Sequence, residues 1–468
     1  MTSPLQNKTV AVIGGGLAGL AAGCALAATG LRVTVFERRP YVGGRASSYE
    51  HPGTGETLDN CQHVLLGCCT NLIHFYEQLG VSGRIRWFDE LVFMEPGGRR
   101  SRIRPSFLPA PLHSFPSFLT AAMLSLRDKL AIARAFVAMT APGALPADSE
   151  ENFQDWLLRH GQTPRAIEHF WKVVLVSALN EDLDRISVRY AIQVFRESFL
   201  KSADAGKMGV PGIHLSDLYS AAIGYIQERG GQVLLRSSVS AIHQRQNRVV
   251  IVTNTGEQEF DFAVIAAPFQ NAGALLPQDA LADSLQKKLE HFEASSITGI
   301  HLWFDREITP LPHAVLLDRT IQWMFQKSSF FENGRKAEQG SYLELVVSAS
   351  KSLVQKSREE VIDLALRELA DFFPIVKEAK VVKAAVIKEV YATYSVLPGL
   401  DSYRPEAKTA WPNIFLAGDW TATGWPATME GAVRSGYLAA EALTEAAGDS
   451  RKFLTPDLPA QGLMRWIG

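Results

Sequence analysis

The chain has 468 residues, with 47 Lys and Arg against 49 Asp and Glu, a formal charge of −2 and 47% hydrophobic residues. That balance excludes a general nucleic-acid binder, which carries a basic excess. No uninterrupted apolar run reaches the ~18–20 residues of a membrane-spanning helix, and no basic-then-apolar leader precedes the first folded element. The four cysteines, Cys24, Cys61, Cys68 and Cys69, show no CxxC spacing, which argues against a zinc site or a disulfide framework. A cytoplasmic protein with reduced thiols and no metal is expected, and this length suits two interleaved domains.

The first informative element begins at Val10. Val10–Ile13 reads as a short strand and 17–28 as a small-residue helix, with Gly14, Gly16 and Gly19 at the junction. Gly14 permits the tight strand-to-helix turn, Gly16 lets a pyrophosphate approach the backbone, and Gly19 lets helix and strand pack closely. Leu17 and Ala18 then present the helix N-terminus, where free N–H groups and the helix dipole favour phosphate. A second strand, RVTVF at 32–36, leads to Glu37 and Arg38. Glu37 stands where an acid accepts hydrogen bonds from a ribose, which favours FAD or NAD over NADP. Gly43, Gly44 and Arg45 follow, two glycines that let backbone lie against a phosphate and a fixed cation for it or for a flavin edge.

From 118 to 199 the pattern is mostly helical, clearest in SFLTAAMLSLRDKLAIARAFVAM and ISVRYAIQVFRESFL. A further helix is expected over 213–228 and a run of strands over 232–268, where Val239 is placed to offer backbone hydrogen bonds to an adenine. New strands are expected near 298–304 and 343–348, then a helix over 358–373. At the far end NIFLAGDWTATGWPATMEGAVRSG carries Gly418 and Asp419 after an apolar strand. Asp419 suits the hydroxyls of a flavin polyol. Pro426 pre-sets a helix start, and Thr428, Met429 and Ala432 are expected to face the flavin, with the helix end stabilising charge on its reduced form. The two ends together call for FAD and redox chemistry.

The stretch DNCQHVLLGCCTNLIHFYEQLG, 59–80, resembles the carotenoid-desaturase and squalene-associated branch of the amine-oxidase-like flavoproteins. Asp59, His63, Leu65, Leu66, Gly67 and Asn71 fit that branch; Cys61 sits where it usually has Gly, and Cys69 where an aromatic is common. FWKVVLVSALNEDLDRISVRYAIQVFRESFL and GDWTATGWPATMEGAVRSG are similar to its hydroxysqualene dehydroxylase members in particular. The resemblance implies an α/β fold in which a Rossmann-like FAD-binding domain is interleaved with a mixed α+β substrate domain. Residues 1–105, 206–275 and 391–468 are assigned to the first, and 106–205 and 276–390 to the second. It further implies reduction of hydroxysqualene, a long isoprenoid allylic alcohol, to squalene on the way to hopanoids. The alternatives are desaturation of a phytoene-like polyene, amine oxidation, and a non-catalytic FAD-bound membrane adaptor.

Removing an allylic hydroxyl needs hydride from reduced flavin, a proton for the leaving oxygen and a dry pocket. Protonated His63 is the candidate acid with Asp59 tuning it; the alternative is that His63 hydrogen-bonds the cofactor or its own loop. Cys61, Trp171 and Trp425 are candidate pocket residues, Cys61 with a buried structural thiol as its other reading. With one dinucleotide fingerprint, the electrons are expected from visiting NADPH, a reductase partner or free reduced flavin. Finally, Arg99, Arg100, Arg102 and Arg104 precede Phe107, Leu108, Leu112, Phe115, Phe118 and Leu119 in a proline-broken segment. Segment 99–140 is therefore expected to touch a membrane surface at the inner face of the cell membrane, the other reading being a loop that packs its aromatics inward.

Overall fold

The computed structural model describes residues 5, 7–141, 143–146, 150–277, 279, 281–331 and 340–466. Its first sheet is drawn from the start, middle and end of the chain. Five parallel strands lie in the order Gln232–Leu234, Arg32–Phe36, Thr9–Ile13, Phe262–Ile265, Ile414–Leu416. The inner strands are mostly apolar because parallel sheets are covered on both faces. One cover is the helix Leu17–Ala27, whose residues are all buried. It packs against the helix Met429–Ala446 so closely that a Cβ on Gly436 would lie 2.9 Å from the Ala22 nitrogen. Small side chains on both helices bring residues four hundred positions apart to one edge of the sheet.

The second sheet has seven strands, in the order Val381–Tyr394, Ala294–Phe304, Ser341–Ser348, Trp323–Gln326, His313–Leu316, Leu91–Met94, Arg100–Ile103. Every pair is antiparallel except His313–Leu316 with Leu91–Met94. The hairpin over residues 91–103 thus pairs with the second sheet, although chain order alone groups residues up to 105 with the first. Arg358–Phe372 covers one face through Val361, Ala365 and Leu369. Helices between Phe153 and Leu200 form a third body whose aromatic side chains pack edge-to-face on one another and on Phe136.

The 117–139 helix expected from sequence is broken. Phe115–Thr120 ends at Ala121, and Leu126–Thr140 starts afresh behind a capping box in which Ser125 and Asp128 satisfy each other's backbone N–H groups. Among the described residues no helix is long and apolar enough to cross a membrane, and no cluster of His, Cys, Asp or Glu is arranged to hold a metal.

Candidate functional site

The C-terminal ends of the parallel strands open into a cleft of about 570 Å³. Gly14, Gly16, Leu17, Ala18, Glu37, Arg38, Gly43, Gly44, Arg45 and Val239 line it, and so do Gly418, Asp419, Thr428, Met429 and Ala432. The glycines divide by role. Gly14 has φ +115°, and a Cβ there would come 2.7 Å from the Ala266 carbonyl oxygen. At Gly16 a Cβ would meet nothing nearer than Gly44 Cα at 3.8 Å, so a side chain would project into open cleft. Gly19 is off the wall; it lets the helix settle onto the Gly14 carbonyl.

The Leu17–Ala27 helix has no side-chain cap at Gly16. Its first N–H groups therefore face the cleft without a protein acceptor from that position, an arrangement suited to pyrophosphate. Glu37 is buried; one carboxylate oxygen accepts from the Gly15 N–H at 2.7 Å and the other from Arg39 N–H at 2.8 Å. Each oxygen retains a lone pair for a ribose hydroxyl. These residues fit a dinucleotide.

The two halves of the sequence meet at one ion pair. Arg45 Nη2 donates to Asp419 Oδ1 at 2.6 Å across 374 positions, while Nη1 donates to the Ala392 carbonyl at 3.0 Å. Burial alone would lower the Arg45 pKa, but the Asp419 carboxylate outweighs it and holds the guanidinium charged. Thr428 caps the last helix by accepting from the Gly431 N–H at 3.0 Å, so that N–H is spent within the protein rather than offered to the cleft. Pro426 lies two residues before this cap and outside the wall.

The loop after Asp59 supplies a third wall through Asn60, Cys61, Gln62, His63 and Val64. His63 Nδ1 lies 2.9 Å from the Cys61 carbonyl oxygen, which only accepts, so Nδ1 carries the proton and Nε2 is an acceptor. Burial lowers the His63 pKa, and the partial opposition of the Cys61 carbonyl and Asp59 does not restore it. A standing imidazolium acid at His63 is thus corrected to a neutral ring. Asp59 does act on that ring, its charge raising the His63 pKa, but from a distance. It is not on the cleft wall but buried behind it, paired with Lys327 at 2.7 Å. Cys61 does line the cleft, at φ +63°, in the left-handed region where glycine is at ease.

Neither tryptophan is a cleft residue. Trp171 is wholly buried among Phe136, Phe153 and Phe195, its indole N–H donating to Gln162 at 2.8 Å. Trp425 packs against Cys68 and Ala205, with the Arg434 guanidinium 4.6 Å over its ring. In both cases a helix or turn that carries a wall residue turns its tryptophan the other way.

Sequence reading missed several residues that shape the site. Arg404 is buried and donates to the carbonyl oxygens of Asp419 at 3.0 Å and Trp425 at 2.8 Å, to that of Thr421, and to the Thr423 hydroxyl at 3.1 Å. One guanidinium thereby shapes the whole loop that presents Asp419. Glu430 accepts from the backbone N–H groups of Asn71 and Leu72, tying the helix that follows the 59–69 loop to the flavin-facing helix. Asn180, at φ +54°, ends the helix Lys172–Leu179 and reaches the cleft; an Asn closing an apolar helix is a readable C-cap signal. Lys327 and Glu344 had one faint signal, a lone acid inside the apolar strand SYLELVVS.

Comparison with known proteins agrees with this geometry. Residues 17–444 match the family described as flavin containing amine oxidoreductase. The chain is 28% identical to 15-cis-phytoene desaturase of Solanum lycopersicum over 462 residues, covering 95% of this chain and 78% of that protein. It is 26% identical to 15-cis-phytoene desaturase of Synechococcus elongatus (93% and 95% covered) and 27% identical to a probable zeta-carotene desaturase of the same organism (93% and 98%). Among solved structures, an oxidoreductase from Methanosarcina mazei superposes with TM-score 0.69 at 18% identity (92% and 98% covered), and wild-type putrescine oxidase with TM-score 0.69 at 18% (94% and 98%). The chain belongs to the flavin containing amine oxidoreductase family. It is a FAD-dependent oxidoreductase of the superfamily that joins carotenoid desaturases and amine oxidases.

Proposed function

We propose that this enzyme acts on a long polyisoprenoid, and that the substrate is hydroxysqualene, reduced to squalene. Support comes from the 59–80 stretch, which resembles the squalene-associated branch and whose Cys61, Gln62, His63 and Val64 stand on the cleft wall. Reduced FAD supplies a hydride when bound. The alcohol takes up that hydride and one proton from solvent, loses its C–O bond, and leaves alkene and water. His63 Nε2, an acceptor, orients the substrate hydroxyl by receiving its hydrogen. Val64 and Ile297, beside the 60–63 loop, keep water away from the allylic carbon. The electron donor is NADPH, a reductase or free reduced flavin.

The second reading, desaturation of a phytoene-like polyene, is favoured by the curated relatives, which are phytoene and zeta-carotene desaturases. The neutral His63 ring also suits it, because desaturation sends a proton to a base and a hydride to oxidised flavin. One experiment separates the two. Anaerobically reduced enzyme is mixed with hydroxysqualene, and flavin reoxidation and products are followed. Reoxidation with squalene as product is expected. Desaturation of phytoene with an acceptor, and no reaction with the alcohol, would overturn the hydroxysqualene reading.

The substrate is taken from a membrane surface at segment 99–140. Phe107 is 97% exposed, and Leu112, Phe115 and Leu119 are also exposed, whereas Leu108 is half-buried and Phe118 packs edge-on against Phe170. Leu126, Leu130 and Val137 continue the apolar surface on the next helix. The C-terminal turn Gly462–Trp466 adds Leu463 and Trp466, held there by the Leu463 N–H on the Ala110 carbonyl at 2.8 Å. Two of the four arginines are neutralised, Arg99 by Glu95 and Arg102 by Glu90, so apolar insertion outweighs charge here. Replacing Phe107, Leu112 and Phe115 by Ser is expected to abolish co-sedimentation with vesicles and leave the melting temperature unchanged; unchanged co-sedimentation refutes the membrane proposal.

A further inference from the structure

Directly behind the 59–63 wall lies a set of buried charges that the chemistry above leaves unused. Lys327 is 1% exposed; its ammonium donates to Asp59 Oδ2 at 2.7 Å and Gln62 Oε1 at 2.8 Å, with Glu344 Oε2 at 3.3 Å. Gln62 passes the contact on, its Nε2 donating to the His63 carbonyl at 2.9 Å. Two carboxylates therefore contend for one ammonium, and they are unequal partners. Asp59 also accepts from the Ser48 hydroxyl at 2.6 Å and the Leu215 N–H at 3.2 Å, with His214 Nδ1 at 3.4 Å. Among the described residues Glu344 has the longer ion pair to Lys327 and the Gln62 backbone N–H as its stabilising partners.

The consequence is a divided pair. For Asp59, burial is overcome by Lys327 and His214, which hold its carboxyl well below the usual range. For Glu344, burial pushes up, Lys327 offsets this only in part, and Asp59 pushes up again, to about 7. The other groups facing Glu344 do not relieve it. His301, directly across the strand ladder, is pushed down by burial to about 3, with its Nδ1 on the Tyr342 hydroxyl at 2.7 Å. Burial holds the Tyr342 and Cys61 protons in place and keeps His63 neutral. The outer charges are tied elsewhere: Glu389 accepts from Asn60 at 3.0 Å, and Glu56 pairs with Lys383 at 2.5 Å. His51, beyond His301, is lowered by burial and by Arg358.

We propose that Glu344 is the proton-uptake site coupled to flavin reduction in the adjoining cleft, acting through Lys327 and Gln62 on the Cys61–His63 wall. Two electrons and one proton leave the flavin one negative charge richer than before reduction. A second proton, from solvent, binds the Glu344 carboxylate and balances that charge; reoxidation releases it. Glu344 is a positioning residue, and its role rests on FAD occupying this cleft and on no particular isoprenoid.

The test is spectroelectrochemical titration of the holoenzyme with dithionite as reductant and no isoprenoid, from mildly acid to mildly alkaline pH. Above about pH 7 the midpoint potential of the wild type is expected to fall about 30 mV per pH unit more steeply than that of Glu344→Gln, one extra proton per two electrons. Glu344→Asp restores the steeper slope. Redox-difference infrared spectra supply a second readout on the wild type alone: above pH 7 a protonated-carboxyl band appears on reduction. Parallel potential–pH lines for wild type and Glu344→Gln, or no carboxyl band in the wild type, overturns the proposal. Neither result bears on hydroxysqualene.

Discussion

Two walls of the cleft are built on opposite principles. The dinucleotide wall, Gly14 to Arg45, uses backbone: glycines at positive φ, an uncapped helix N-terminus and one acid within a single stretch of chain. The 59–63 wall uses buried side-chain charge gathered from Asp59, Lys327 and Glu344, which lie on three separate elements. Backbone construction tolerates little change in shape but carries little desolvation cost. Buried charge tolerates change in shape but leaves an uncompensated ion when any member is lost. The two walls should therefore fail differently when altered.

The largest effect is expected at Lys327. Lys327→Met leaves two buried carboxylates without a cation, a loss of about 3–5 kcal/mol of stability by urea denaturation. Adding Glu344→Gln to that variant should recover part of it at alkaline pH, where the carboxyl would otherwise ionise; no recovery there would mean the two groups are not coupled. The pH profile carries the same contrast. Asp59, held below the ordinary carboxylate range, contributes stability in full above that range and loses it as the solution is made strongly acid. Glu344 has the opposite sign. The native state keeps a proton that the unfolded chain releases, so stability falls as pH rises from the ordinary Glu pKa of about 4.3 to about 7 and is flat beyond. Glu344→Gln should abolish that fall.

The backbone wall is broken by shape. Gly14→Ala places a Cβ against the Ala266 carbonyl at positive φ, a strain of about 1–3 kcal/mol, and should lose both stability and FAD. Gly16→Ala meets no protein atom within 3.8 Å, so it should keep its stability and lose only FAD, read as flavin absorbance of the purified protein. If Gly16→Ala retains full flavin, the pyrophosphate does not lie there.

This contrast also explains what the sequence made legible. Gly14, Gly16 and Glu37 are within one βαβ span, and local chain geometry alone sets their relation. The helix Leu17–Ala27 and the strand Arg32–Phe36 were readable for the same reason. Tertiary partners were not. The hairpin 91–103 joins the second sheet through a parallel pairing with His313–Leu316, a contact across more than two hundred positions that no periodicity announces. Lys327 reaches Asp59 across 268 positions, and Glu344 joins the pair only through Lys327. Trp171 and Trp425 show the complementary limit: an aromatic beside a site residue in sequence is turned by its element towards the core.

The smallest effect is expected where the two ends of the chain touch. Arg45 is about one-third exposed while Asp419 is nearly buried, so the pair sits between a surface bridge and a buried one. Asp419→Asn keeps the shape and removes the negative charge; Arg45→Gln removes the positive one. Water reaches the Arg45 side chain and screens the attraction, so the coupling from a double-mutant cycle on stability should be about 1 kcal/mol. The same cycle on FAD affinity should show a larger coupling, because a bound flavin excludes that water and strengthens the pair. A coupling no greater in the FAD-loaded enzyme than in the apoprotein would mean that Arg45 and Asp419 join the two ends of the chain without contributing to the flavin site.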